Sequence, residues 1–277
     1  MPFFKTRYTG ASVFFALAVM MAAASPQGRV LAQDTPEPGW PLDIPSRYLT
    51  SNFMEYRGGR FHAGIDLKTN SETGYAVRAV EDGYISRIRT TPFAYGRVVY
   101  QRGDSGKTYV YAHLMRFNDQ LRVRVRQAQK KAGNYRTSLS LSSDEIRVRR
   151  GDVLGLSGQS GTGGPHLHFE VRDGNQQPLN PMDQGFAVAD TFPPVIHSIS
   201  AWPVNQDALA NGSNLEQVIT VPAGSGRLPE LSFQGPVAFS ARIVDAADIR
   251  GHRLEPKVIE VYLDDALVYR CSNEVYS

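Results

Sequence analysis

Over residues 52–186, short runs of alternating apolar and polar positions are broken by glycine. Tyr75–Val80, Tyr84–Thr90, Arg97–Gln101 and Thr108–His113 are rich in Val, Ile, Tyr and Thr, and Gly74, Gly83, Gly96 and the Gly103/Gly106 pair punctuate them. Period-two alternation bounded by turn residues predicts β-strands. No long 3.6-period segment interrupts this run, so a mainly β, antiparallel architecture is expected rather than alternating strand and helix. Leu121-Arg122-Val123-Arg124-Val125-Arg126 alternates strictly and predicts an amphipathic edge strand, with room for a short helix around Gln127–Lys131. Asp190-Thr191-Phe192-Pro193-Pro194 reads as a stiff extended connector, because Pro194 restricts the residue before it. Beyond it, Val237–Val244 and Val258–Leu263 alternate, and Asp264-Asp265-Ala266 turns the chain into Leu267–Tyr269, which predicts a hairpin in a smaller β-module. Residues 205–232 look irregular, so that module is expected to be either incomplete in this chain or completed by a partner.

The N-terminus is patterned differently. Ala11–Ala24 is a 14-residue apolar run preceded by Lys5 and Arg7, and small residues follow at Ser25 and Ala32. This is the layout of an export signal over residues 1–32, with cleavage before Gln33 or after Ala22-Ala23-Ala24. The run falls short of the ~20 residues needed to span a bilayer, so no stable membrane anchor is expected. Residues 33–51 form a proline-rich leader. The single cysteine, Cys271, can form no internal disulfide and is too distant to carry a lipid near the signal. The expected location is therefore exported, periplasmic or extracellular. Charge sharpens this picture. The full chain carries +3, but the signal holds Lys5, Arg7 and Arg29 and no acid, leaving 27 basic against 27 acidic residues. A neutral remainder gives no reason to expect nucleic acid. Residues 116–150 stand apart, with ten basic residues against Asp119, Asp144 and Glu145, a local +7. That insertion is expected to be merely solvated, to gate a groove or to bind anionic envelope polymers.

Candidate chemistry lies in the histidines. Phe61-His62-Ala63-Gly64-Ile65-Asp66 sets a His and an Asp four apart across a glycine. Gly163-Gly164-Pro165-His166-Leu167-His168-Phe169-Glu170-Val171 starts an alternating strand with two histidines on one face. Glu170 shares that face and either orients an imidazole or sits at a groove edge. Val110-Tyr111-Ala112-His113-Leu114 ends a strand on a histidine. His197 and His252 lack any such context and read as structural or surface residues. No GK[ST] follows the glycine run, so a phosphate cradle is not expected.

Together, FHAGID, YAHL and GPHLHFEV, in this order, resemble the lysostaphin/LytM-type zinc metallopeptidases of the M23 class, over roughly residues 52–186. The resemblance implies an antiparallel β-sheet groove and hydrolysis of peptide cross-links in bacterial peptidoglycan. It implies Zn2+ on His62, Asp66 and His168, with His113 and His166 flanking the metal as proton acceptor and as oxyanion or leaving-group partner, in an order left open. It also implies a tyrosine near the oxyanion, Tyr56. Three protein ligands leave a position for water, the catalytic arrangement. The basic insertion is longer than this group's usual connection, and the module over 187–277 is more like an immunoglobulin-type β-module than a wall-binding domain. Partners would be peptidoglycan stem or bridge peptides and, through the C-terminal module, other envelope proteins. Two other function classes remain open at this level: a non-enzymatic regulator that activates other wall hydrolases, and a peptide-binding or adhesion module.

Overall fold

A computed structural model describes residues 37–222, 230–249, 251–263 and 265–274. The expected export signal lies outside the described residues. Among them, no helix is long and apolar enough to cross a membrane. The chain forms two compact units. It leaves the first at Phe192 and returns to it over Ala247–Glu255 and again at Asn273.

The elements of the first unit begin with β1 (Leu49–Ser51), β2 (Ile65–Lys68), β3 (Ala76–Arg78), β4 (Gly83–Thr90), β5 (Arg97–Gly103), β6 (Thr108–Ala112) and β7 (Arg116–Phe117). There follow α1 (Asp119–Ala132), β8 (Thr137–Ser140), β9 (Arg147–Val148), β10 (Val153–Leu156), β11 (His166–Arg172) and β12 (Pro178–Leu179). The main sheet is antiparallel, in the order β1-β2-β11-β6-β5-β4-β8, with β12 added on β11 and β9 on β4. A small sheet, β3-β10-β7, completes the unit. The mainly β, antiparallel architecture expected from the alternation is what the chain adopts.

Alternation also divides the main sheet into two faces. Leu167, Phe169 and Val171 of β11 join Tyr109 and Tyr111 of β6, Val99 of β5 and Ile85 and Ile88 of β4 in one buried core. The rings of Phe169 and Phe186 meet edge-on at 4.7 Å, and Tyr111 lies 5.4 Å from Phe169. Burying such side chains contributes roughly 1.5–3 kcal/mol each. The other face of the same strands carries Val98, Tyr100, Val110 and Ala112, and with them His166, His168 and Glu170. The register sets His168 opposite Asp66 on one side and Ala112 on the other.

The expected edge strand at Leu121–Arg126 is instead part of α1, and the short helix expected at Gln127–Lys131 is the end of this longer one. Leu121 and Val125, four residues apart, are buried, whereas Val123 is half exposed, so the apolar face has helical period. The Asn118 side chain accepts from Leu121 N at 2.9 Å, and Gly133 closes the helix in the left-handed region at φ 59°. These caps, with Asp119 in the first turn and Lys130 and Lys131 in the last, outweigh the local alternation.

In the second unit, Gln217–Thr220, Val195–Pro203 and Val237–Ala246 form an antiparallel sheet in that order. Val258–Leu263 pairs with Ala266–Ser272 as the expected hairpin. Among the described residues of the stretch expected to be mostly irregular, Leu209–Ala210 and Gln217–Thr220 are strands. Trp202, Phe239 and Val218 remain 39%, 43% and 63% exposed.

Phe169→Ala should destabilise the first unit by about 3–5 kcal/mol, because its ring is fully buried among other rings. In thermal unfolding this reads as a fall of roughly 10 °C in midpoint. A negligible fall would contradict the packing described.

Candidate active site

Four histidines and two carboxylates meet on the non-core face of β11, β2 and β6. Asp66 lies in β2, and His62 lies in the loop that feeds it. Gly64 between them lets that loop approach β11 closely: a Cβ there would stand 2.3 Å from the Phe169 carbonyl oxygen. His113 follows β6 at φ 61°, a left-handed conformation uncommon outside glycine. Its backbone N–H donates to the Tyr95 carbonyl at 3.0 Å. The loop before β11 packs tightly on Gly96 (φ 60°), where a Cβ would meet Ser160 O at 2.0 Å.

Each imidazole has one nitrogen tied to an acceptor. His62 Nδ1 donates to Asn52 O at 2.7 Å, His113 Nδ1 to Ser160 O at 2.9 Å and His166 Nδ1 to Gly164 O at 3.0 Å. His168 Nε2 donates to Glu170 Oε1 at 2.8 Å. A carbonyl or an ionised carboxylate can only accept, so these bonds fix the tautomers and turn the lone-pair nitrogens the other way.

Three of the freed atoms converge. His62 Nε2 is 2.9 Å from His168 Nδ1 and 3.1 Å from Asp66 Oδ1, and His168 Nδ1 is 2.9 Å from the same oxygen. All three residues are buried. Three acceptors at this spacing repel unless a cation or a proton lies among them. Two imidazole nitrogens and one carboxylate oxygen are a donor set that fits zinc. The outer bonds to Asn52 O and Glu170 are of the kind that orient imidazoles on a metal. The other Asp66 oxygen, Oδ2, is held by Arg57 Nη2 at 2.6 Å, which leaves Oδ1 for the cluster.

His113 and His166 stand beside this cluster, their rings 4.6 Å apart and His113 5.8 Å from His168. His166 Nε2 is 3.6 Å from Asp66 Oδ1. Burial lowers the His113 pKa to about 4, with His166 adding to the fall, and burial also lowers His166. Both are neutral acceptors at neutral pH. Burial would lower His168 too, but its bonds to Asp66 and Glu170 outweigh this and raise it to about 9. Burial would raise Asp66, yet the close His168 and His62 rings hold it well below the usual carboxylate range. Glu170 is likewise held down against burial by His168, Arg172 and Tyr95.

Of the residues singled out from the sequence, five meet here: His62, Asp66, His113, His166 and His168. Glu170 takes the orienting position on His168. Tyr56 is 62% exposed, its ring 5.6 Å from that of Phe61, which lines the cleft. His197 is exposed, and His252 Nε2 lies 2.9 Å from Lys68 Nζ. Two participants were not anticipated. Arg57 holds Asp66, and Tyr95 donates its hydroxyl to Glu170 Oε1 with its ring 5.3 Å from His168. Neither sits in a motif, and only the folded loops bring them in. The cleft over the cluster measures about 220 Å³, with Phe61, Ala94, Tyr95 and Thr162 on its walls.

No family model matches the chain. Over 124 residues it is 37% identical to the DD-carboxypeptidase/endopeptidase Mpg of Neisseria meningitidis, a match covering 44% of this chain and 22% of that protein. The chain thus spans about a fifth of the length of the curated relatives it matches. Among solved structures, it is similar to the catalytic domain of the prophage-encoded M23 protein EnpA from Enterococcus faecalis. That likeness has a TM-score of 0.37 at 24% identity and covers 51% of this chain and 94% of the other. A zinc-containing peptidase from Vibrio cholerae is similar at a TM-score of 0.39 and 26% identity, covering 56% and 40%. The match to a DD-carboxypeptidase/endopeptidase agrees with the resemblance to peptidases that the three motifs carry.

Two outcomes follow from the geometry. Glu170→Gln should weaken zinc affinity by roughly 10–100-fold, since it removes the charge that orients His168; competition with a chromophoric chelator reads this, and an unchanged affinity would contradict it. His168 holds a proton up to about pH 9 in the metal-free cluster. A metal must displace that proton, so apparent affinity should rise from neutrality to about pH 9 and level off above it. Calorimetry in buffers of different ionisation heat should find about one proton released per ion at neutral pH; none would contradict the assignment.

Proposed function

We propose that this chain is a zinc-dependent endopeptidase that hydrolyses peptide cross-links of bacterial peptidoglycan. The 37% identity over 124 residues to a DD-carboxypeptidase/endopeptidase supports the peptidase reading, and the finer reading rests on one observation. His62 Nε2, His168 Nδ1 and Asp66 Oδ1 converge within 3.1 Å with their outer bonds already made. In this reading those three residues hold the ion. When bound, zinc supplies Lewis acidity toward a peptide carbonyl and lowers the pKa of a water.

The chain's own residues supply the proton handling. His113 and His166 are both neutral with an unprotonated Nε2, so either can accept a proton from an attacking water. The imidazole that has accepted it becomes a donor, able to protonate the leaving amine, and its positive charge favours a developing oxyanion. Because both pKa values are lowered, this acceptor stays competent below the pH at which an ordinary histidine titrates. Tyr56 adds an oxyanion contact at the rim of the cleft, beside Phe61. Residues 1–32 direct export, which places the enzyme with its substrate in the periplasm or outside the cell. The C-terminal unit contacts other envelope proteins.

His168→Ala should abolish both stoichiometric zinc binding and cleavage of purified cell wall in a gel-embedded wall assay. Chelator should do the same to the unmodified protein, with zinc restoring activity. A His168→Ala protein that still cut purified wall would sink this reading.

A further inference from the structure

A second, larger groove lies on the same sheet face, and Tyr95 lines both it and the cleft over the histidines. This groove measures about 690 Å³. It is walled by Arg87, Arg89, Arg102 and Arg172 together with Tyr84 and Tyr100, and no acidic side chain lines it. Arg172 is committed to Glu170, at 2.6 Å through Nε. The other three have no acidic partner among the described residues. Arg87 donates to Ser138 Oγ at 3.0 Å and lies 5.6 Å over the Tyr100 ring, and Arg102 donates to Thr108 Oγ1 at 3.2 Å. Arg89 makes no side-chain hydrogen bond among the described residues. Three guanidinium groups left without counter-charge on one wall form a recognition surface for anionic oxygens.

The register fixes how far this surface lies from the histidines. Glu170 pairs with Val110, Val110 with Tyr100 and Tyr100 with Arg87, across β11, β6, β5 and β4. Three inter-strand steps amount to ~14 Å, about the length of four extended residues. The basic insertion contributes here in an unexpected way. Its strand β8 pairs with β4 and sets Ser138 and Ser140 against Arg87, so it extends the groove wall by one strand. Three of its own arginines are engaged elsewhere, Arg122 with Asp119, Arg124 with Glu145 and Arg147 with Asp104.

We propose that Arg87, Arg89 and Arg102 form a subsite for a free carboxylate on the substrate peptide, about four residues from the bond that is cut. The inference rests on the peptidase reading and names the substrate class more closely: an acidic peptide lying across the strands from the histidines to β4. The carboxylate source follows from charge complementarity and from Tyr95, the wall that this groove shares with the cleft that must hold a peptide.

The test compares a defined muropeptide bearing its free carboxylates with the same compound amidated, using the full-length zinc-loaded protein and its Arg87→Gln/Arg89→Gln/Arg102→Gln variant. The variant should raise KM for the free acid by roughly tenfold or more, leave kcat nearly unchanged, flatten the salt dependence of KM and leave KM for the amide alone. Equal changes for both substrates, or none for either, would overturn the subsite. Inorganic polyphosphate competing more tightly than the acidic muropeptide would also overturn it, in favour of a phosphate polymer. Should the triple variant fail to fold by circular dichroism, Arg89→Gln alone carries the same comparison. If the unmodified protein cuts neither compound, the peptidase reading fails. Calorimetric binding of the two muropeptides then decides the groove: preference for the acid that is lost in the variant supports it, and no preference overturns it.

Discussion

The site is governed by the inward nitrogens of four imidazoles whose outer nitrogens are all engaged. Asn52, Ser160 and Gly164 offer only carbonyl oxygens to those nitrogens, and Glu170 offers a carboxylate. None of these acceptors can give a proton back, so the remaining nitrogens are turned toward one cleft, where a proton or a cation must lie among them. Asp66, held from behind by Arg57, adds a negative oxygen to that cleft. Such a concentration of acceptors in a buried place is costly unless a cation occupies it. The residues that hold the cluster together are consequently those that demand a cation. The two that stand beside it, His113 and His166, are kept neutral by the same burial.

A single sheet serves both stability and chemistry because strand side chains alternate. In β11, Leu167, Phe169 and Val171 enter the core, while His166, His168, Glu170 and Arg172 face the groove. A one-residue slip of register would exchange the two sets, so packing the core also aims the histidines. The row of pairs from Glu170 to Arg87 carries the polar face outward over four strands, and the inserted β8 lengthens it. The proposed reaction centre and the proposed carboxylate subsite are thus two ends of one surface whose spacing the sheet dictates.

Much of this was legible before the fold was known, for a physical reason. Period-two patterning and glycine punctuation are local signals, and they gave the antiparallel sheet and put His166, His168 and Glu170 on one face. The motif set brought His62, Asp66 and His113 to the same place. What escaped was non-local or masked by a competing pattern. Arg57 and Tyr95 act through loop closure, which no spacing encodes, and Asn52 acts through a backbone carbonyl, to which side-chain identity is blind. The run at Leu121–Arg126 satisfied strand alternation while Asn118 and Gly133, the caps that decide for a helix, lay outside the window that alternation examines. The +7 count over residues 116–150 drew attention to the insertion, whereas the arginines without acidic partners in the groove sit on β4 and β5, where neighbouring acids in the sequence dilute their charge.

The central claim, that His62, Asp66 and His168 hold one zinc ion between them, is tested most directly by X-ray absorption at the zinc K-edge of the loaded protein. Two imidazole nitrogens with oxygen completing the shell are expected, at about 2.0–2.1 Å for nitrogen. His62→Ala should leave only one imidazole in the spectrum. A shell of oxygen alone, or a two-imidazole signal unchanged in His62→Ala, would contradict it.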